Sequence, residues 1–95
     1  MEIRSYTHPG IILKEEFAKP LGLTQEKIAK DLGIGIKTLS ELYNEKRGIS
    51  PLMALKLANY FGTTPEFWMN LQSQYDLYRT YEKSKDIVDK VNKIA

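Results

Sequence analysis

The chain has 95 residues and a mass of 11.0 kDa; size scaling gives about 5,600 Å² of folded surface against about 16,000 Å² unfolded, enough for one modest core and not for two. Hydrophobic residues make up 42% and charged residues 27%, close to ordinary globular usage, which excludes the low-apolar, high-charge signature of disorder. The absence of cysteine excludes a disulfide staple, a thiolate zinc site and a thiol nucleophile, and a net charge of +2 permits a polyanionic partner without arguing for one.

The opening Met1-Glu2-Ile3-Arg4 soon reaches His8-Pro9-Gly10, without the apolar centre of a secretory signal, and no apolar run approaches the ~20 residues that span a bilayer. A soluble, cytoplasmic protein is the expectation. Pro9 suits the first position of a first helix, because proline has no N–H to leave unpaired and its φ is already helical. Ile12, Leu13, Glu16 and Phe17 follow, and Lys19-Pro20-Leu21-Gly22 ends the run. Thr24 caps a second helix with Glu26 in its first turn and Ile28, Ala29 and Leu32 as its buried stripe. Gly33 stops it in the left-handed conformation, and Gly35 opens a third helix from about Ile36 to Asn44 with Leu39, Leu42 and Tyr43 inward.

Ser50-Pro51 opens a fourth helix through Phe61, with Leu52, Leu55, Leu57, Ala58 and Phe61 as core candidates and Gly62 as its stop. Thr64-Pro65 opens a fifth that carries Phe67, Trp68, Leu71, Tyr75 and Tyr78 at spacings of three and four, the signature of core packing rather than of a ligand pocket. Around Glu82-Lys83-Ser84-Lys85 the apolar pattern lapses before Ile87, Val88, Val91 and Ile94, which predicts a break or a frayed tail. The expected architecture is all-α: one domain over 1–95, five helices, a core at about 7–79 and a C-terminal helical extension or tail over 80–95.

Two short helices joined as tightly as the second and third must cross steeply, the geometry of a helix-turn-helix. With Leu39 and Leu42 turned to the body, the 3.6-residue period leaves Ile36, Lys37, Ser40, Glu41 and Asn44 facing solvent. A helix held this way fits the ~12 Å wide major groove of DNA.

The stretch Thr24–Asn44 resembles the phage-repressor-like (XRE) helix-turn-helix family. A wider pattern, His8-Pro9-Gly10-Ile11-Ile12-Leu13, Leu21-Gly22-Leu23-Thr24, Lys46-Arg47-Gly48-Ile49-Ser50 and Phe61–Gln72 with Tyr75-Asp76-Leu77, is similar to the HigA/VapI antitoxins of bacterial type II toxin–antitoxin modules. The resemblance covers about residues 7–79. It implies a five-helix repressor-like fold, a homodimer, a palindromic operator of double-stranded DNA in the protein's own promoter, and a HigB-type endoribonuclease toxin as protein partner. By position it implies that Gln25 contacts phosphate, that Ile36, Lys37 and Glu41 read bases with Ser40 and Asn44 on the same face, and that Lys46 and Arg47 clamp phosphates. Glu41 suits the N4 donor of cytosine and Ile36 a thymine methyl.

Relatives often carry Asn-Gly-Lys-Arg after the recognition helix; here Asn44-Glu45-Lys46-Arg47 lacks the glycine, and Asn44 is expected to go left-handed instead. From Thr24 to Ser50 five cations face four anions, a net of +1, so one protomer should bind DNA poorly and a two-fold dimer better. Beside these readings, the exposed residues of the third helix can be read as a solvated face, and the lone His8 as a helix-start residue. With no Cys, no His–carboxylate pair at metal spacing and no phosphate loop, neither enzyme nor cofactor nor metal is expected. The alternatives are a stand-alone transcriptional regulator without a toxin partner, or a protein-binding adaptor that uses the aromatic fifth helix.

Overall fold

The computed structural model describes residues 4–94 and contains five helices, with no strand among those residues. Met1, Glu2, Ile3 and Ala95, the ends of the expected span, lie outside the described residues. Helix α1 (9–18) starts as an α-helix, Pro9–Ile12, and widens into a π-helical stretch, Leu13–Ala18. The wider turn brings Leu13, Phe17 and Ala18, spaced by four and five, onto the core. Helices α2 (Gln25–Leu32), α3 (Ile36–Tyr43), α4 (Pro51–Phe61) and α5 (Pro65–Asp89) follow.

The punctuation in the sequence is realised in bonds. Thr24, Ser50 and Thr64 accept from the backbone N–H of Lys27, Met53 and Phe67 at 3.2, 3.2 and 3.1 Å. Pro51 and Pro65 stand in the first helical turns. Gly33 (φ 68°) and Gly62 (φ 73°) end α2 and α4 in the left-handed conformation. At Gly33 the pairs Ile34 N–H to Ala29 O (2.9 Å) and Gly33 N–H to Lys30 O (3.1 Å) satisfy carbonyls that the helix end would leave open.

Leu13, Ile28, Leu39, Leu42, Ala54, Leu57 and Trp68 are fully enclosed and form the core. Trp68 is ringed by Phe17 and Phe67, with centroids at 5.0 and 5.1 Å, and by Phe61 at 6.4 Å, and its indole N–H donates to Thr63 Oγ1 at 2.7 Å. The polar tip of the largest buried side chain is therefore satisfied. In α4 the inward stripe is Met53, Ala54, Leu57 and Ala58. Leu52 and Leu55, expected in the core, are 64% and 57% exposed, because a helix that turns 53, 54, 57 and 58 inward points 52 and 55 outward.

Helix α5 runs for 25 residues, about 37 Å, and Trp68 is its only fully buried residue. Its C-terminal half projects from the body, so the molecule measures 50 × 23 × 22 Å with a radius of gyration of 15.7 Å, against about 12.4 Å for a compact chain of this length. Its accessible surface of 6617 Å² exceeds the size-scaling value for the same reason. The expected break falls at Ser84 (φ −122°, ψ 18°), where the backbone leaves helical geometry.

Gly10 lies flat against the C-terminal end of α3, where a Cβ would collide with the Leu42 carbonyl oxygen. The carbonyl is backbone and a Cβ is fixed directly to the backbone of residue 10, so neither can step aside. Gly10→Ala should destabilise the fold by about 1–3 kcal/mol in chemical denaturation, and parent-like stability would disprove this close approach.

Candidate nucleic-acid interface

The rear of α3 is sealed: Leu39 and Leu42 are fully buried and Tyr43 nearly so. The opposite face carries Ile36, Lys37, Ser40, Glu41 and Asn44, with Ile36 47% exposed despite its apolar side chain, and Lys37 and Asn44 exposed. Asn44 Nδ2 donates to Ser40 Oγ at 3.4 Å along this face. Gln25 is exposed at the first position of α2, and Lys46 and Arg47 are exposed in the segment leaving α3. The structure thus brings all eight residues singled out in the sequence to the surface of the helix-turn-helix and its following loop.

Charge pairing divides the cations. Lys27 pairs with Asp31 at 3.0 Å, and Tyr60 of α4 donates to the same carboxylate at 2.6 Å; the tyrosine hydroxyl and then Lys27 hold Asp31 below the usual carboxylate range. Arg47 reaches back to Glu41 at 3.1 Å. Among the described residues no ion pair engages Lys30, Lys37 or Lys46. Lys37 and Lys46 therefore present unshared positive charge at the front and the end of α3.

The turn after α3 corrects one expectation. Asn44 (φ −93°, ψ 14°) is not left-handed; Glu45 is, at φ 62°. Glu45 N–H bonds to Leu42 O (3.2 Å) and Lys46 N–H to Glu41 O (2.8 Å), the same closure that Gly33 makes after α2. The geometry assigns the left-handed residue to the second position past the helix, so it falls on Glu45 whatever precedes it.

His8 is buried and caps α1: Nδ1 accepts from Gly10 N–H at 2.9 Å. Its ring packs edge-on against Tyr75 of α5, with centroids 4.8 Å apart. Burial lowers its pKa from 6.5, opposed by the carboxylates of Glu45 and Asp76 and by a backbone hydrogen bond with Arg47. Gln72 of α5 reaches the same loop, accepting from Ile49 N–H at 2.6 Å. Sequence reasoning assigns Gln72 no role, since a lone glutamine on a helix carries no periodic or spacing signal. The glycine facing it at position 48 is the one local hint.

Two outcomes follow from this geometry. Glu45→Gly removes the Cβ penalty of the left-handed region and should stabilise the fold by roughly 0.5–1 kcal/mol, after glycine's entropy is counted; a loss in thermal denaturation would contradict the assignment. The folded state binds the His8 proton less readily than the unfolded chain. Its contribution to stability is therefore complete above about pH 6.5 and is lost as pH falls through the lowered folded value. His8→Asn, which can still cap, should flatten the fall in melting temperature between about pH 7.5 and 5. An unchanged profile would assign that titration to other groups.

Among the described residues no group of three His, Asp or Glu side chains is placed to hold a metal, and no helix is long and apolar enough to cross a membrane. Residues 13–68 match the helix-turn-helix family. Virulence-associated protein I of Dichelobacter nodosus is 40% identical over 84% of this chain and 74% of its own length. Antitoxin HigA-1 of Vibrio cholerae is 39% identical over 81% of this chain and 72% of its own. The structure of Pseudomonas aeruginosa antitoxin HigA with the higBA promoter superposes with a TM-score of 0.89 at 37% identity, covering 94% of this chain and 98% of that one. The five helices, the tight elbow at Gly33 and these likenesses agree: the chain belongs to the HigA/VapI branch of the XRE-type helix-turn-helix family.

Proposed function

We propose that this protein is an antitoxin that represses its own operon, binding palindromic operator DNA as a two-fold dimer and neutralising a HigB-type endoribonuclease toxin. The observation that carries the reading is the division of α3 into a sealed rear and an exposed front with an unpaired lysine, in a chain similar along nearly its whole length to an antitoxin solved with promoter DNA. The chain acts as one domain over 1–95, with 80–95 as its extension.

Lys37 donates to guanine O6 or N7, and Ile36 meets a thymine methyl. Ser40 and Asn44 supply adaptable hydrogen bonds on the same face. Glu41 accepts from cytosine N4 when Arg47 leaves it for phosphate. That exchange is feasible on magnitude, since an exposed ion pair is worth at most about 1 kcal/mol and both partners here are partly exposed. Gln25 and Lys46 take further phosphates. Each protomer offers few charges, and pairing places two recognition helices about one helical turn, ~34 Å, apart, doubling the phosphate contacts. The apolar side chains left open on the projecting α5, Leu77 and Ile87 among them, are 60% and 72% exposed and suit a second copy or the toxin.

Footprinting on the DNA upstream of the reading frame tests the site. Lys37→Ala should relax preference at one base pair by about 1–3 kcal/mol, while Arg47→Ala should weaken all sequences alike and flatten the salt dependence by about one unit per protomer. An intact footprint with Lys37→Ala would place recognition elsewhere. Co-expression with the protein encoded by the adjacent reading frame tests the toxin: copurification and relief of its toxicity support the antitoxin, and their absence favours a stand-alone regulator.

A further inference from the structure

The loop that leaves α3 carries Lys46 and Arg47 to the surface but has no secondary structure of its own. Its first turn is closed onto α3 by Lys46 N–H to Glu41 O at 2.8 Å, and phosphate contacts require a fixed height over the duplex. A second anchor, past Arg47, comes from the far end of the chain. Gln72 of α5 accepts from Ile49 N–H at 2.6 Å, and its amide nitrogen donates to Asp76 Oδ1 at 2.8 Å, so both halves of the amide are committed. Gly48 lies directly beneath: a Cβ there would stand 2.8–3.0 Å from the Gln72 amide atoms. Close by, the buried His8 ring packs on Tyr75 of α5, one turn beyond Gln72.

We propose that Gln72 is a positioning residue for DNA binding: held by Asp76 and seated over Gly48, its carbonyl grips the Ile49 amide and sets Lys46 and Arg47 at the height where they meet phosphates. The inference rests on the DNA-binding reading above and deepens it, because it makes α5, which contributes no residue to the recognition face, a determinant of the electrostatic part of affinity. Glycine at 48 is explained by the same contact, since a methyl group there would displace the amide without removing it.

Two variants reach the contact by different routes. Gln72→Leu keeps the bulk and removes the acceptor; Gly48→Ala keeps Gln72 and pushes its amide aside. In the free protein both should speed hydrogen exchange at the Ile49 amide by about tenfold, the value of one lost hydrogen bond. Against a ~30-base-pair duplex of mixed sequence, both should bind more weakly and with a salt slope flattened by up to about two counterions per protomer. Adding Lys46→Ala and Arg47→Ala should then cost nothing further in either background, although that pair weakens the parent. If Gln72→Leu does not fold, Gly48→Ala carries the test alone. Unchanged Ile49 exchange, or an equal loss from Lys46→Ala and Arg47→Ala in parent and variant backgrounds, overturns the proposal while leaving DNA binding standing. A parent protein with no salt-dependent affinity for duplex DNA overturns the DNA-binding reading, and this inference with it.

Discussion

The complete burial of Leu39 and Leu42 on the rear of α3 is the constraint on which the arrangement of this protein turns. Removing either side chain to alanine is worth about 2–5 kcal/mol, a large part of the roughly 5–15 kcal/mol that holds a domain together. An eight-residue helix has little stability alone. Here the core supplies it, and supplies orientation as well, because two leucines three residues apart allow one rotation of α3 about its axis. The exposed front is the remainder of that choice. Gly10 adds a second restraint by bringing the start of α1 against the last turn of the same helix.

The end of α3 shows how backbone geometry outranks local preference. Gly33, Gly62 and Glu45 occupy left-handed positions at the ends of α2, α4 and α3, and only the third bears a side chain. Strain of about 1–2 kcal/mol is stored at Glu45, next to the cations of the proposed DNA face. The hydrogen bonds of the helix end, the Ile49 bond to Gln72 and the enclosed His8 ring hold that turn in place. Strain of this kind persists where surrounding contacts over-determine the backbone.

Helix α5 has two unlike halves. The first is tied to the body by Trp68 and its aromatic neighbours; the second projects, breaks helical geometry at Ser84 and leaves Leu77 and Ile87 largely in water, with Val91 exposed just past its end. The same helix that finishes the core therefore also carries apolar surface outward, and through Gln72 touches the loop that leaves α3. Folding and the proposed assembly and DNA contacts share one structural element.

What the sequence determined by itself is what short-range chemistry controls. Hydroxyl caps at Thr24, Ser50 and Thr64, prolines at the first helical positions and glycines past the last ones act over a few residues, so they are legible without coordinates and place five helices, the elbow at Gly33 and the lapse near Ser84. The exposed face of α3 followed from the period and two leucines. Position 45 was half legible: the missing glycine announced a strained turn, but only the hydrogen-bonding pattern placed the strain on Glu45 rather than Asn44. Leu52 and Leu55 look like core because apolar character is a property of the residue, whereas burial depends on which side of α4 meets α5 and α2, and that is decided by packing. The pairing of Arg47 with Glu41 across six residues, and of Gln72 with Ile49 across 23, belongs wholly to the tertiary structure. Contacts between residues far apart in the chain exist only once the helices have docked, and no local pattern encodes their partners.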